Sequence, residues 1–92
     1  MQQQIEYILN MENFPLVNSQ QYVLMRASAL TGHVLDEKLD LVLSDNQKVY
    51  TVYDSKESAI ESAENLVKTQ KNIECVIYNS NKDVAMFINA KE

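Results

Sequence analysis

The hydrophobic pattern of the chain is clearest in its middle, over the stretch DSKESAIESAENLVKTQKN at residues 54–72. Apolar side chains recur there every three or four positions, as they do on one face of an α-helix. They are Ala59, Ile60, Ala63, Leu66 and Val67. Asp54 and Glu57 have the spacing of a capping box, and Asn72 is a residue type that tolerates the left-handed conformation at a helix end. The pattern predicts a helix over 55–71.

Segments with the composition of strands lie on both sides of this helix. The stretch before it, KVYTVYD at 48–54, is rich in β-branched and aromatic residues. After it, IECVIY at 73–78 and VAMFI at 84–88 are joined by NSNKD, whose polar residues favour a turn and predict a hairpin. A strand, a helix and a strand in succession predict a right-handed crossover between parallel strands, which places the helix on one face of the sheet.

The only glycine, Gly32, lies between two stretches that permit different interpretations. In one, residues 19–31 form a helix that the glycine ends. In the other, they form a strand that turns at the glycine into a returning strand over 33–43. Leucines occupy every second position from 39 to 43, which favours the hairpin. The first arm is apolar throughout 22–25 and fits either structure.

The N-terminal stretch QQQIEYILNME carries a short amphipathic pattern. Ile5, Ile8 and Leu9 lie on one helical stripe, and the position before Pro15 disfavours helical geometry. The pattern predicts a short helix over 1–14.

The remaining elements predict one α+β domain over residues 15–92, a length that suits a single domain. The polar turn SDNQ at 44–47 leads from the returning strand into the strand at 48–54, which predicts a three-stranded meander. With the second hairpin, the domain contains a mostly antiparallel sheet of about five strands. The long helix packs on one face of that sheet.

Composition and charge limit the classes of partner. Thirteen acidic residues against eight basic ones give a net charge of −5, and the basic residues are scattered, with Arg26 the only arginine. This distribution disfavours binding to nucleic acid. No apolar run approaches the ~20 residues of a membrane span, and the N-terminus lacks the features of a secretory signal. The lone Cys75 fits a reducing compartment. We expect a cytoplasmic protein whose partners include neither nucleic acid nor membrane.

Residue types that carry catalysis or hold cofactors are sparse. His33 is the only histidine, and in a strand it would not point towards both Asp36 and Asp40, which disfavours a metal site. Cys75 lies in a strand pattern and is expected to be a small buried apolar residue. A chain with one glycine has neither a phosphate-binding P-loop nor a Rossmann fingerprint, so no cofactor is predicted.

The densest negative region follows His33 and contains four acids against the single base Lys38. The acids are Asp36, Glu37, Asp40 and Asp45. One interpretation is a docking surface for a basic protein, whose approach the charges would steer. The other is a solvated edge strand that its charges protect from aggregation.

Together these features predict a small acidic cytoplasmic protein-interaction module without catalytic activity. It would act as an inhibitor or neutralising partner of a basic protein, or associate with itself as a homodimer. The predicted partner-binding residues are His33, Asp36, Glu37 and Asp40. The alternative is a small ligand-binding or enzymatic α+β domain whose pocket lies between helix and sheet.

Overall fold

A computed structural model of the protein describes residues 14–89. These residues form one antiparallel five-stranded sheet and one helix packed against it. The elements are β1 (Tyr22–Ser28), β2 (Val34–Leu35), β3 (Tyr50–Tyr53), α1 (Lys56–Thr69), β4 (Ile73–Tyr78) and β5 (Val84–Asn89). The predicted α+β class, with a mostly antiparallel sheet and one long helix, is confirmed. The helix predicted over 1–14 lies outside the described residues except for Phe14.

The first hairpin settles the question that Gly32 raised. The residues before the glycine form β1, which is the central strand of the sheet, and they turn back into β2. Gly32 has φ 82, and its N–H donates to the carbonyl of Ser28 at 2.7 Å. This conformation is in the left-handed region, which glycine enters without a steric cost. The hairpin interpretation is therefore confirmed, and the helix over 19–31 is wrong.

The returning strand is much shorter than predicted. β4 pairs with one side of β1, while β2 and β3 both pair with the other side. Leu35 lies opposite Arg26 and Tyr50 opposite Met25, so β2 and β3 bond to adjacent positions of β1. They are two halves of one edge strand, interrupted by residues 36–49, which we call the excursion loop.

Two sequence predictions are corrected by this arrangement. The strand over 33–43 ends at Leu35, and β3 pairs with β1 rather than with β2, so there is no three-stranded meander. The alternating leucines do not continue the strand because the backbone turns at once. The N–H of Leu39 donates to the carbonyl of Asp36 at 2.9 Å, and Leu39 itself has φ 68.

Helix α1 covers one face of the sheet, which we call the helix face. Its small residues Ala59 and Ala63 are fully buried and allow close approach to Leu24, Cys75 and Ile77. Burial of this apolar surface is the main contribution that stabilises the layer.

The ends of α1 differ in detail from the prediction. The N-cap is Ser55 rather than Asp54, because the Ser55 hydroxyl accepts a hydrogen bond from the N–H of Ser58 at 3.1 Å. Asn72 has φ 66, as expected for the residue that turns the chain away from the helix.

The opposite side of the sheet, which we call the aromatic face, is covered by the segment that precedes β1. The Phe14 ring packs edge-on against Tyr50 and Tyr78, with centroid distances of 5.3 and 5.7 Å. Burial raises the pKa of Tyr50 to about 12 and also raises that of Tyr78. Val23 and Met25 of β1 complete this second core.

No helix within residues 14–89 is long and apolar enough to cross a bilayer.

Candidate functional site

The excursion loop is held in shape from within, by the carboxylate of Asp36. One carboxylate oxygen accepts hydrogen bonds from the N–H groups of Lys38 and Asp40, at 2.8 and 3.0 Å. Asp36 as a whole residue is 6% exposed. An aspartate that binds nearby backbone donors stabilises a turn, because it replaces the hydrogen bonds that the backbone loses on leaving the sheet.

Gln47 closes the other half of the loop. Its amide nitrogen donates to the second carboxylate oxygen of Asp36 and to the carbonyl of Leu41, both at 2.8 Å. Its amide oxygen accepts from the backbone N–H groups of Leu43 and Ser44. Every polar group of this amide is therefore engaged, and the two ends of the loop are tied to its middle.

The hydrogen bonds within the loop change the acidity of the Asp36 carboxyl. The hydrogen bond from Gln47 and the backbone hydrogen bonds from Asp40 and Lys38 lower the pKa of the Asp36 carboxyl below its usual value. Donors stabilise the ionised form of a carboxyl, so the negative charge of Asp36 is compensated by hydrogen-bond donors within the loop.

The neck of the loop is closed by backbone and side-chain contacts. The N–H of Glu37 donates to the carbonyl of Lys48 at 2.9 Å, and the ammonium of Lys48 lies 3.7 Å from the Glu37 carboxylate. The hydroxyl of Thr51 donates to the same carboxylate at 2.6 Å. Glu37 therefore joins the loop to β3.

Arg26 connects this neck to the centre of the sheet. It lies in β1 and is buried, yet its guanidinium donates to the carbonyl of Val49 at 3.2 Å and to the hydroxyl of Thr51. Buried charged groups persist where hydrogen bonds compensate for the lost hydration. A chain of contacts thus runs from β1 through Thr51 to Glu37.

The outer surface of the loop is acidic and apolar. Leu43 is 86% exposed, and Leu41 is also exposed. The side chains of Asp40 and Asp45 are exposed beside them in the same loop. The arrangement offers two apolar contacts flanked by negative charge, on a backbone whose shape is already fixed.

The four predicted binding residues have different surroundings. Asp36 is turned inward, contrary to the expectation that it lay on an exposed strand, and Glu37 is paired at the neck. Asp40 faces solvent. His33 is exposed in the turn between β1 and β2, where its Nδ1 lies 2.9 Å from the Thr31 hydroxyl.

Sequence reasoning missed the roles of Gln47 and Arg26. SDNQ predicts a turn, but nothing in the sequence indicates that its glutamine reaches back to Asp36. In the sequence, Arg26 is distinguished only as the single arginine. Its position in a strand with apolar neighbours is a signal that a buried partner network exists.

Other candidate chemistry is limited in residues 14–89. They contain no group of three or more His, Cys, Asp or Glu side chains placed to hold a metal ion. Cys75 is fully buried, as expected, and desolvation raises the pKa of its thiol to about 11. A thiol in that state is protonated near neutral pH and is a weak nucleophile.

An open groove lies between α1 and β5. It is lined by Glu64, Val67 and Lys68 from the helix and by the strand residues from Met86 to Asn89. None of the four groups whose pKa values the fold shifts lies in this groove. These groups are Asp36, Tyr50, Cys75 and Tyr78.

Comparison with known proteins adds no assignment: the chain matches no protein-family model, no curated protein and no solved structure.

Proposed function

We propose that this chain is a small acidic cytoplasmic protein-interaction module without catalytic activity, which docks a basic protein through the excursion loop. The observation that carries this proposal is the position of the loop. The edge strand leaves the sheet after Leu35 and returns at Tyr50, opposite the next residue of β1. Pairing of the sheet does not require the residues in between. Long loops inserted into a compact domain usually carry function.

The order within the loop supports a docking role. Asp36 and Gln47 hold the backbone through hydrogen bonds between 2.5 and 3.0 Å. A surface fixed in advance loses less conformational entropy when a partner binds. Internal bonds therefore prepare the loop for contact without using its exposed side chains.

The chemistry of the exposed side chains indicates the kind of partner. Leu41 and Leu43 would enter apolar depressions, since an interface centre is depleted of charge. Asp40 and Asp45 would form the rim, where negative charge steers a basic surface towards the loop. The net charge of −5 acts in the same direction over longer distances.

The predicted residues take different roles in this proposal. Asp40 contributes charge to the docking surface. Asp36 and Glu37 act indirectly, because their carboxylates hold the loop and its neck. His33 lies at the adjacent turn and is a peripheral contact.

The test is affinity capture from a lysate of the cells that produce the protein, with recovery quantified by mass spectrometry. The loop variant is Asp40→Lys with Asp45→Lys. The matched control is Glu57→Lys with Asp83→Lys, which changes the net charge equally at exposed positions outside the loop. We expect a basic protein that is recovered with the wild type and the control but lost with the loop variant. Titration of that purified protein against the three forms then measures the affinity.

Equal recovery with the loop variant would contradict the docking role of the loop. A second variant, Leu43→Ser, separates apolar contact from charge. It should lower the affinity for the partner even at high salt, where the charges of the exposed acids are screened.

A further inference from the structure

Within the described part of the chain, the outer edge of β5 is an unprotected edge of the sheet. Among residues 14–89, β5 pairs with β4 alone. Its sequence, VAMFIN, contains no charge, proline or glycine. Proteins usually protect an edge strand with such residues or cover it, because exposed N–H and C=O groups are a template for another strand.

This edge is apolar on both faces of the sheet. Met86 lies opposite Ile77 and is on the helix face, with 37% of its surface exposed. Phe87 lies opposite Val76 and is on the aromatic face, 52% exposed, and Val84 is 60% exposed. Apolar side chains on both faces favour a partner that extends the sheet rather than one that covers a single face.

We propose that the partner at this edge is a second copy of the chain, whose β5 pairs antiparallel with the first. The two sheets would become one continuous sheet, related by a two-fold axis perpendicular to it. A two-fold interface is isologous, so the same strand serves both copies and no edge is left for further growth at that side. The inference does not depend on the excursion loop, which lies at the other edge.

The charges beside β5 fit this two-fold arrangement. Glu64 and Lys68 both line the groove between α1 and β5. They do not pair with each other: the one ion pair within residues 14–89 joins Lys48 and Glu37. The two-fold axis makes the helices antiparallel on the same face of the joined sheet. When the axis passes between the two residues, Glu64 of each copy meets Lys68 of the other.

The test is the concentration dependence of molar mass, by light scattering and sedimentation equilibrium of the purified full-length chain. We expect a dimer in the wild type. Glu64→Lys and Lys68→Glu should each raise the dissociation constant about tenfold or more, because both symmetric attractions become repulsions. An equimolar mixture of the two single variants should restore association as a heterodimer. The double exchange in one chain should also restore it.

Phe87→Lys provides a second measurement that does not depend on the ion pairs. It places a charge on the edge and should give a monomer, while Leu16→Lys, at a fully exposed position elsewhere, should keep the wild-type mass. Circular dichroism checks that each variant is folded.

A wild-type chain that stays monomeric up to about 1 mM would overturn the proposal, because a dissociation constant above that concentration is too weak for a specific dimer. It would also be overturned if Phe87→Lys dimerised like the wild type, or if the mixed single variants did not restore the dimer. None of these results bears on capture of a basic protein by the loop, so the two proposals fail separately.

Discussion

The two edges of the sheet differ in how well they are protected against pairing with another strand. One edge consists of β2 and β3, two short strands interrupted by the excursion loop and flanked by the Glu37–Lys48 ion pair. The other is β5, a six-residue strand without charge. Short strands, charges and an irregular loop all discourage pairing with another chain. The first is closed by its own residues, and we call it the closed edge. No residue of 14–89 pairs with the outer side of β5, which we call the open edge.

The closed edge carries a polar network that runs from buried Arg26 to exposed Glu37, and the open edge carries none among the described residues. Arg26 donates a hydrogen bond to the hydroxyl of Thr51, and that hydroxyl donates to the carboxylate of Glu37. By contrast, β5 is bordered by apolar side chains. A buried network stabilises only when every member is satisfied. Substitutions should therefore have large effects on stability at the first edge and small ones at the second.

Arg26→Ala should have the largest effect. It should lower the free energy of unfolding by about 2–4 kcal/mol, because the carbonyl of Val49 and the hydroxyl of Thr51 lose their donor inside the protein. Urea unfolding followed by circular dichroism measures the change. Arg26→Lys is the control: it keeps the charge but lacks the planar fork, so it should cost less. A loss below about 0.5 kcal/mol for Arg26→Ala would show that the network does not hold this edge.

Gly32→Val should cost about 1–2 kcal/mol, the strain of placing a β-branched residue at φ 82. The turn joins β1 to β2, so the closed edge would be weakened at its start. Gly32→Asn should cost less, because asparagine tolerates the left-handed region. Equal losses for the two variants would argue that something other than backbone conformation limits this position.

Acidification should weaken the loop through Asp36, and the sign follows from its pKa. The hydrogen bonds from Gln47 and from the backbone of Asp40 hold the folded-state pKa of Asp36 below 3.8, the ordinary value of an aspartate. The unfolded chain therefore takes up the proton first, so the contribution is fully present above that value and is lost as pH falls through the folded pKa. The stability difference between the wild type and Asp36→Asn, measured by unfolding from pH 6 down to pH 2, should narrow below about pH 4. A constant difference over this range would exclude an ionic role for Asp36.

Phe87→Thr should have the smallest effect, within about 0.5 kcal/mol, in samples dilute enough to be monomeric. The ring is half exposed at the open edge, so its removal takes little apolar surface from the core. Val76→Ala is the control on the neighbouring strand: Val76 faces Phe87 but is buried, and its loss should cost about 1–3 kcal/mol. A large loss for Phe87→Thr would mean that this edge is already part of the monomer's core.

Much of the fold follows from local patterns that the structure keeps. The apolar stripe of α1, the polar turn at 79–83 and the positive φ of Gly32 each act over a few residues, so the sequence alone predicts them. Cys75 was expected to be buried for the same reason, since alternation in a strand decides which side chains face the helix.

The candidate site was predicted less well, because its contacts join distant residues. Alternating leucines predict a strand over 33–43, yet the carboxylate of Asp36 captures the backbone at Lys38 and Asp40 and bends it away. That turn is completed by Gln47, whose partner is eleven residues away. Periodicity carries no information about such a bond.

The sequence by itself determined the α+β class, the long helix, the two hairpin turns and the acidic character of the chain. These depend on the spacing of apolar residues, on single conformational preferences and on charge. Only the tertiary structure decided that β2 and β3 share one side of β1, that Asp36 faces inward, and that β5 is left as an open edge. Strand partners and buried hydrogen bonds are chosen among many alternatives of similar local preference, and the choice depends on how the whole core packs.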